Sequence, residues 1–141
     1  MPSLIQKVTE DYALVKRILN KARHPAFIGR ESFGRWASNG GALVWFLDGE
    51  PVAASLVNTK TSVLMALSVV LEFQGQGIGQ RIIEYIKPNW ARVLESKTKW
   101  FERLGYVCVG TLKQGQPLRT QIMVRSDLKT LGKRVAILKN S

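Results

Sequence analysis

Leu67-Ser68-Val69-Val70-Leu71-Glu72-Phe73-Gln74-Gly75-Gln76-Gly77-Ile78-Gly79 is the stretch whose reading decides the fold. An apolar run of β-forming residues, 63–71, passes through a short turn into three glycines at alternate positions, and a helical pattern begins near Gly79. The order is strand, glycine loop, helix. Residues without Cβ let successive backbone N–H groups converge, and the partial positive charge of a helix start is aimed at the same point. Such a place suits phosphate oxygens.

Two familiar phosphate loops fit poorly. No Gly-Lys-Ser/Thr follows, as a Walker loop requires, and the loop sits mid-chain without the βαβ unit and ribose-binding acid of a dinucleotide fingerprint. For a bare Gly-x-Gly-x-Gly a tight structural turn is the competing reading. The context is more specific, because Leu67-x-Val69 followed by Gln74-x-x-Gly77-x-Gly79 resembles motif A of the GNAT superfamily of acyl-CoA-dependent N-acyltransferases. That motif reads Gln/Arg-x-x-Gly-x-Gly/Ala behind a Leu-x-Val strand. Trp100-Phe101-Glu102-Arg103-Leu104-Gly105-Tyr106 resembles the family's second signature, and the likeness runs from about Leu4 to Val124.

The resemblance implies an α/β (α+β) single domain: a mixed, mostly antiparallel sheet of six to seven strands flanked by helices, splayed between the fourth and fifth strands. It implies acetyl-CoA as cofactor, with its pyrophosphate on the backbone of Gln74, Gly75, Gln76, Gly77, Ile78, Gly79 and Gln80. The main chain of Leu67, Ser68 and Val69 would bond the pantetheine arm. Residues 1–125 form the expected domain and 126–141 a basic C-terminal extension, with Lys129, Lys133, Arg134 and Lys139 against the single acid Asp127.

Composition sets outer limits. A chain of 141 residues with 45% hydrophobic and 22% charged residues fits one soluble domain with a sizeable core. No apolar run approaches the roughly 20 residues of a membrane span, and Met1-Pro2-Ser3-Leu4 lacks a signal-peptide start, so a cytoplasmic protein is expected. One cysteine and one histidine fall short of a zinc site, and Cys108 is expected as a buried structural thiol. The formal charge of +11 exceeds what one anionic cofactor needs. Nucleic acid bound through a basic surface is therefore a candidate partner, against the alternative of a solvated basic surface. Monomer and homodimer both stay open.

Along the chain, Leu4 to Val8 reads as a first strand, with Thr9 expected to cap a helix carrying Leu14, Val15, Ile18 and Leu19 inward. A short second helix carrying Phe33, Trp36 and Ala37 stops at Asn39-Gly40-Gly41. Ala42 to Val57 is a hairpin about Asp48-Gly49, and the Val63 strand completes a meander. After the cofactor helix, limited by Pro88, Trp90 to Glu95 reads as a fifth strand. Thr98 to Leu104 is a short helix ended by Gly105, followed by strands at Tyr106 to Gly110 and Thr120 to Val124, joined by a loop holding Gly115 and Pro117.

Direct transfer from a thioester to an amine requires a neutral amine facing the carbonyl, a donor for the oxyanion, and an acid for the thiolate. In many members of the family a tyrosine of the second signature is that acid, but here Phe101 stands at its position. Solvent or another side chain is then the acid, or the chain is a weak or non-acetylating member. Glu95 on the fifth strand is the candidate base, with Ser96 assisting through water. For His24 a local structural role outweighs a catalytic one. Arg30, Phe33, Arg35 and Trp36 lie where the family places the acceptor. They would stack a base and hold phosphate, or form an aromatic lid with exposed arginines. The leading reading is an acetyl-CoA-dependent N-acyltransferase working by direct transfer, its acceptor unknown, with nucleic acid or a nucleobase a candidate. A protein lysine or N-terminus is the competing acceptor, and a non-catalytic coenzyme A or nucleic-acid binding module is the alternative from another class.

Overall fold

The meander that carries the chain to the glycine loop begins at a two-residue turn, where Asp48 and Gly49 both take positive φ (52° and 82°). This turn matches the right-handed twist of paired strands. It joins β2 (Ala42–Leu47) to β3 (Glu50–Asn58), which pairs antiparallel with β4 (Val63–Val69). The computed structural model describes residues 3–24, 28–113 and 119–128. Its other strands are β1 (Leu4–Val8), β5 (Trp90–Leu94), β6 (Tyr106–Lys113) and β7 (Arg119–Arg125). Together they form a seven-stranded sheet of order β1-β2-β3-β4-β5-β7-β6, antiparallel at every pairing except β4 with β5.

That parallel pairing is short. Only Val63↔Trp90 and Leu64↔Ala91 are in register, and pairing stops there. The cause lies one residue on. Leu56 faces Ala66 and Val57 faces Leu64, so Met65 is an extra residue of β4 with no opposite number on β3. A bulge of this kind bends its strand and sharpens the twist. β4 follows β3 onward to Val69 while β5 goes another way, and the expected splay opens between them.

Helices α1 (Tyr12–Lys21) and α2 (Arg30–Ser38) cover one face of the sheet. There Val15, Ile18, Phe33 and Trp36 pack on Val44, Ala54, Leu56 and Ala66. On the other face α3 (Ile78–Ile86) lays Ile78 and Ile82 on Trp45, Val52 and Ala53. Farther along that face, Ile83 and Phe101 of α4 (Thr98–Arg103) meet Leu64, Val93 and Met123. Gly105, with φ of 94°, ends α4 as expected.

Two local expectations are corrected. The side chain of Asp11, not Thr9, caps α1: its carboxylate accepts from Leu14 N at 3.0 Å, while the Thr9 hydroxyl accepts from Asp11 N at 3.0 Å. Thr9 sets the entry turn and Asp11 the cap, because only Asp11 stands three residues before an unpaired helix amide. Cys108 is exposed on β6 rather than buried, since β6 is the edge strand of the sheet. Residues 129–141, the basic part of the expected extension, and the loop with Gly115 and Pro117 lie outside the described residues.

Two glycines should respond oppositely to alanine. A Cβ at Gly41 would stand 1.9 Å from the carbonyl oxygen of Val57, whose N–H is itself bonded to Gly41 O at 2.9 Å, whereas a Cβ at Gly34 inside α2 meets nothing within 4 Å. Gly41→Ala should cost about 3 kcal/mol by overpacking, and Gly34→Ala should add about 0.5–1 kcal/mol by its helix preference. Urea midpoints at unchanged slope check both.

Candidate functional site

Past the bulge, the gap between β4 and β5 widens into a cavity of about 810 Å³. The far half of β4 (Leu67, Ser68, Val69), the glycine loop, the end of β5 (Arg92, Leu94) and Trp100 and Phe101 of α4 line it. Its other wall is the turn after α1 (Arg23, His24) with Ser32, Arg35 and Trp36 of α2. Alternate residues of a strand paired on one side only must turn their N–H and C=O toward the open side. β4 beyond Leu64 is such a strand, so the cavity is walled by main-chain polar groups.

The loop's shape follows from its glycines. Gly75 and Gly77 have φ of +81° and +80°, and a Cβ on either would meet nothing within 4 Å, so the backbone conformation and not crowding selects glycine. At Gly79 the reason is the opposite: a Cβ would stand 3.3 Å from the Trp100 ring that packs across the helix start. Gln74 fastens the loop to its strand, its side-chain amide donating to the Val69 carbonyl at 2.8 Å. Its own N–H donates to Leu71 O at 3.2 Å. The unpartnered amides therefore begin one residue later than expected. Among the described residues no acceptor takes a hydrogen bond from the N–H of Gly75, Gln76, Gly77, Ile78, Gly79 or Gln80. Three of these donors lie on the exposed loop and three in the first turn of α3, which carries no side-chain cap, and together they make a place suited to an anion.

Cations stand on both sides of the cavity. Arg23 and Arg35 line it from the helix side and Arg92 and Lys97 from the β5 side, and no carboxylate is among the lining residues. Burial lowers the pKa of the Arg92 guanidinium from its usual value. Arg35 has Glu31 at 3.7 Å, an exposed pair that takes little from its charge. Between these cations the imidazole of His24 is hydrogen-bonded through Nδ1 to the hydroxyl of Ser68, at 2.9 Å, and Ser68 itself is buried. Burial draws the His24 pKa below 6.5.

The expected catalytic pair sits elsewhere. β5 ends at Leu94, and Glu95 and Ser96 belong to a single 3-10 turn, exposed and outside the cavity lining. Of the expected acceptor residues, Arg35 and Trp36 line the cavity. Phe33 is buried edge-on against Tyr12, and Arg30 lies on the outer side of Tyr12, 4.7 Å from its ring. Phe101 is buried between the rings of Trp100 and Tyr106. No tyrosine hydroxyl opens into the cavity: Tyr12 donates to Ile28 O, Tyr106 donates to Pro88 O at 2.6 Å, and Tyr85 accepts from Gln6 on the outer surface. Among the described residues there is no cluster of three potential metal ligands, and no helix is long and apolar enough to cross a membrane.

Sequence reasoning missed Arg23, Arg92, Lys97 and the pairing of His24 with Ser68. Only Arg92 left a signal, as the polar member of an otherwise apolar strand. His24 and Ser68 are 44 positions apart and nothing in their spacing joins them.

Comparison with known proteins rests on structure. No protein-family model matches the chain, and no curated protein does at the level of sequence. Solved structures do. The complex of Arabidopsis thaliana Naa50 with the bisubstrate analogue CoA-Ac-MVNAL superposes with a TM-score of 0.68 at 17% identity, over 88% of this chain and 99% of that one. The ribosomal-protein-S18-alanine N-acetyltransferase of Escherichia coli gives 0.66 at 20% identity, over 89% and 93%. A GNAT-family acetyltransferase of Bacillus cereus gives 0.67 at 14% identity, over 87% and 95%. At such identities the likeness is one of fold.

Burial raises the Tyr106 pKa to about 12, so the folded state keeps a proton that the unfolded chain releases near 10. The stability this contributes is complete below pH 10 and is lost as pH rises toward 12. Tyr106→Phe should lower stability by about 1 kcal/mol at pH 8 through the lost hydrogen bond. It should also flatten the alkaline decline in stability, as urea unfolding between pH 8 and 11 would read.

Proposed function

We propose that this chain, which has the fold of the GNAT acetyltransferases, moves an acyl group from acetyl-CoA directly to an amine. One observation carries the reading: six unpartnered amides, residues 75–80, stand at the mouth of a cavity whose wall is the unpaired side of β4. The diphosphate of the cofactor fits the loop. The pantetheine arm then runs along the main chain of Leu67, Ser68 and Val69, and the thioester enters the gap. There the amide of a β4 residue near Val69 would donate to the developing oxyanion.

The acceptor approaches from the α1–α2 side. Arg23, Arg35, Arg92 and Lys97 in the lining disfavour an ammonium group and attract phosphate or carboxylate. This favours an amine carried on an anionic molecule, of which a nucleotide or nucleic acid is the leading class and an acidic peptide terminus the competitor. The overall charge of +11 agrees with it. Trp36 forms part of the wall that such an acceptor would touch, while Phe33 supports it from the core. With Phe101 at the usual acid's place, the thiolate takes its proton from solvent. The same replacement favours a second reading, a module that binds coenzyme A without transfer.

Calorimetry should show acetyl-CoA binding to the wild type and its loss in Gly77→Asp, where a carboxylate and a strained φ oppose the diphosphate. Thiol release should then depend on an added amine, and faster on nucleotide or nucleic-acid amines than on a lysine peptide. That preference should weaken steeply as salt rises. Acetyl-CoA binding with no amine-dependent thiol above the Gly77→Asp background would select the binding module. Absence of binding would end both readings.

A further inference from the structure

We propose that His24 is the catalytic base of the transfer, taking the proton of the attacking amine on Nε2 while Ser68 holds the ring through Nδ1. The inference rests on the transferase reading above and goes beyond it, since it assigns the proton to a side chain.

The geometry supports it in three ways. The imidazole lines the cavity on the side opposite the glycine loop, where the acceptor enters. Ser68 lies on β4 between Leu67 and Val69, within the strand segment assigned to the pantetheine arm, so the bond of 2.9 Å ties the ring to the place where the thioester would lie. With Nδ1 engaged, Nε2 is the remaining nitrogen for proton transfer. No other group on these walls serves. The charged residues that share the cavity lining with His24 are Arg23 from the turn after α1, Arg35 from α2, Arg92 from β5 and Lys97 from the turn after β5, all cations. None of them raises the affinity of the ring for a proton, and burial lowers it, so the imidazole is neutral at pH 7 and ready to accept.

The step balances. The amine nitrogen bonds to the thioester carbonyl carbon, the C–S bond breaks, its electron pair leaves on sulfur, and the amine proton moves to Nε2. The thiolate and the imidazolium then re-equilibrate with solvent. The tautomer is the requirement: Nδ1–H must donate to Ser68 Oγ, leaving the lone pair of Nε2 toward the cavity.

His24 is the sole histidine of the chain, so its nitrogen resonances are unambiguous. In full-length protein labelled with 15N-histidine, we expect a neutral ring protonated on Nδ1 and a titration midpoint below 6.5. Ser68→Ala should mix the tautomers. A ring protonated on Nε2 across pH 7 to 8 would be a donor, and that would overturn the proposal without any assay. In thiol release with the amine that the wild type uses best, His24→Asn should lower kcat/KM for the amine about 100-fold. Its acid limb should also disappear, with acetyl-CoA affinity by calorimetry unchanged. Transfer that survives His24→Asn with the same pH profile overturns this inference alone. A wild type that transfers to no amine sinks the transferase reading, and the base with it.

Discussion

One extra residue in one strand governs much of this molecule. Met65 has no partner on β3, and at that point β4 stops pairing with β5 after two residues in register. A sheet of seven strands would otherwise close its hydrogen bonds throughout and leave no interior opening. Buried backbone groups left unpaired are costly, so a parted pair persists only where the surrounding packing enforces it. Here two different cores hold the halves apart: α1 and α2 grip the β2–β4 side, while α4 grips β5 and β7.

The cavity that results has two unlike walls. One is a glycine loop whose donors are main-chain amides, made convergent by two left-handed glycines and tethered by the Gln74 side chain. The other is built of side chains from the turn after α1, from α2 and from β5, cationic, with the His24 imidazole among them. Amides and guanidiniums both attract anions, but in different ways. The amides are fixed in direction and suit a diphosphate of defined shape, whereas the long cationic side chains adapt to whatever anion arrives.

The tyrosines show how the same residue type is committed differently. Tyr12 and Tyr106 spend their hydroxyls on backbone carbonyls, the second with its ionisation pushed up by burial, and Tyr85 lies on the outer surface against Gln6 and Trp45. With Phe101 packed between aromatic rings, the second signature is here a piece of core.

Local pattern was enough for the elements and the loop. The strand before Gln74, the positive φ needed at Gly75 and Gly77, the Asp48-Gly49 turn and the stop at Gly105 are all set by neighbours in sequence, because they depend on steric rules a few residues long. The same rules placed the start of α3 within one residue, and the motif around Gln74 pointed to the sheet and its splay. Tertiary structure decided which side chains share the cavity. Glu95 reads as a strand residue facing a gap, yet the chain turns at Leu94 and carries it outside. His24, at the end of a helix, meets Ser68 on a strand 44 positions later because the α1 core fixes the height at which that helix ends over the sheet. Contacts of that separation depend on how whole elements pack, and no spacing in the sequence records them.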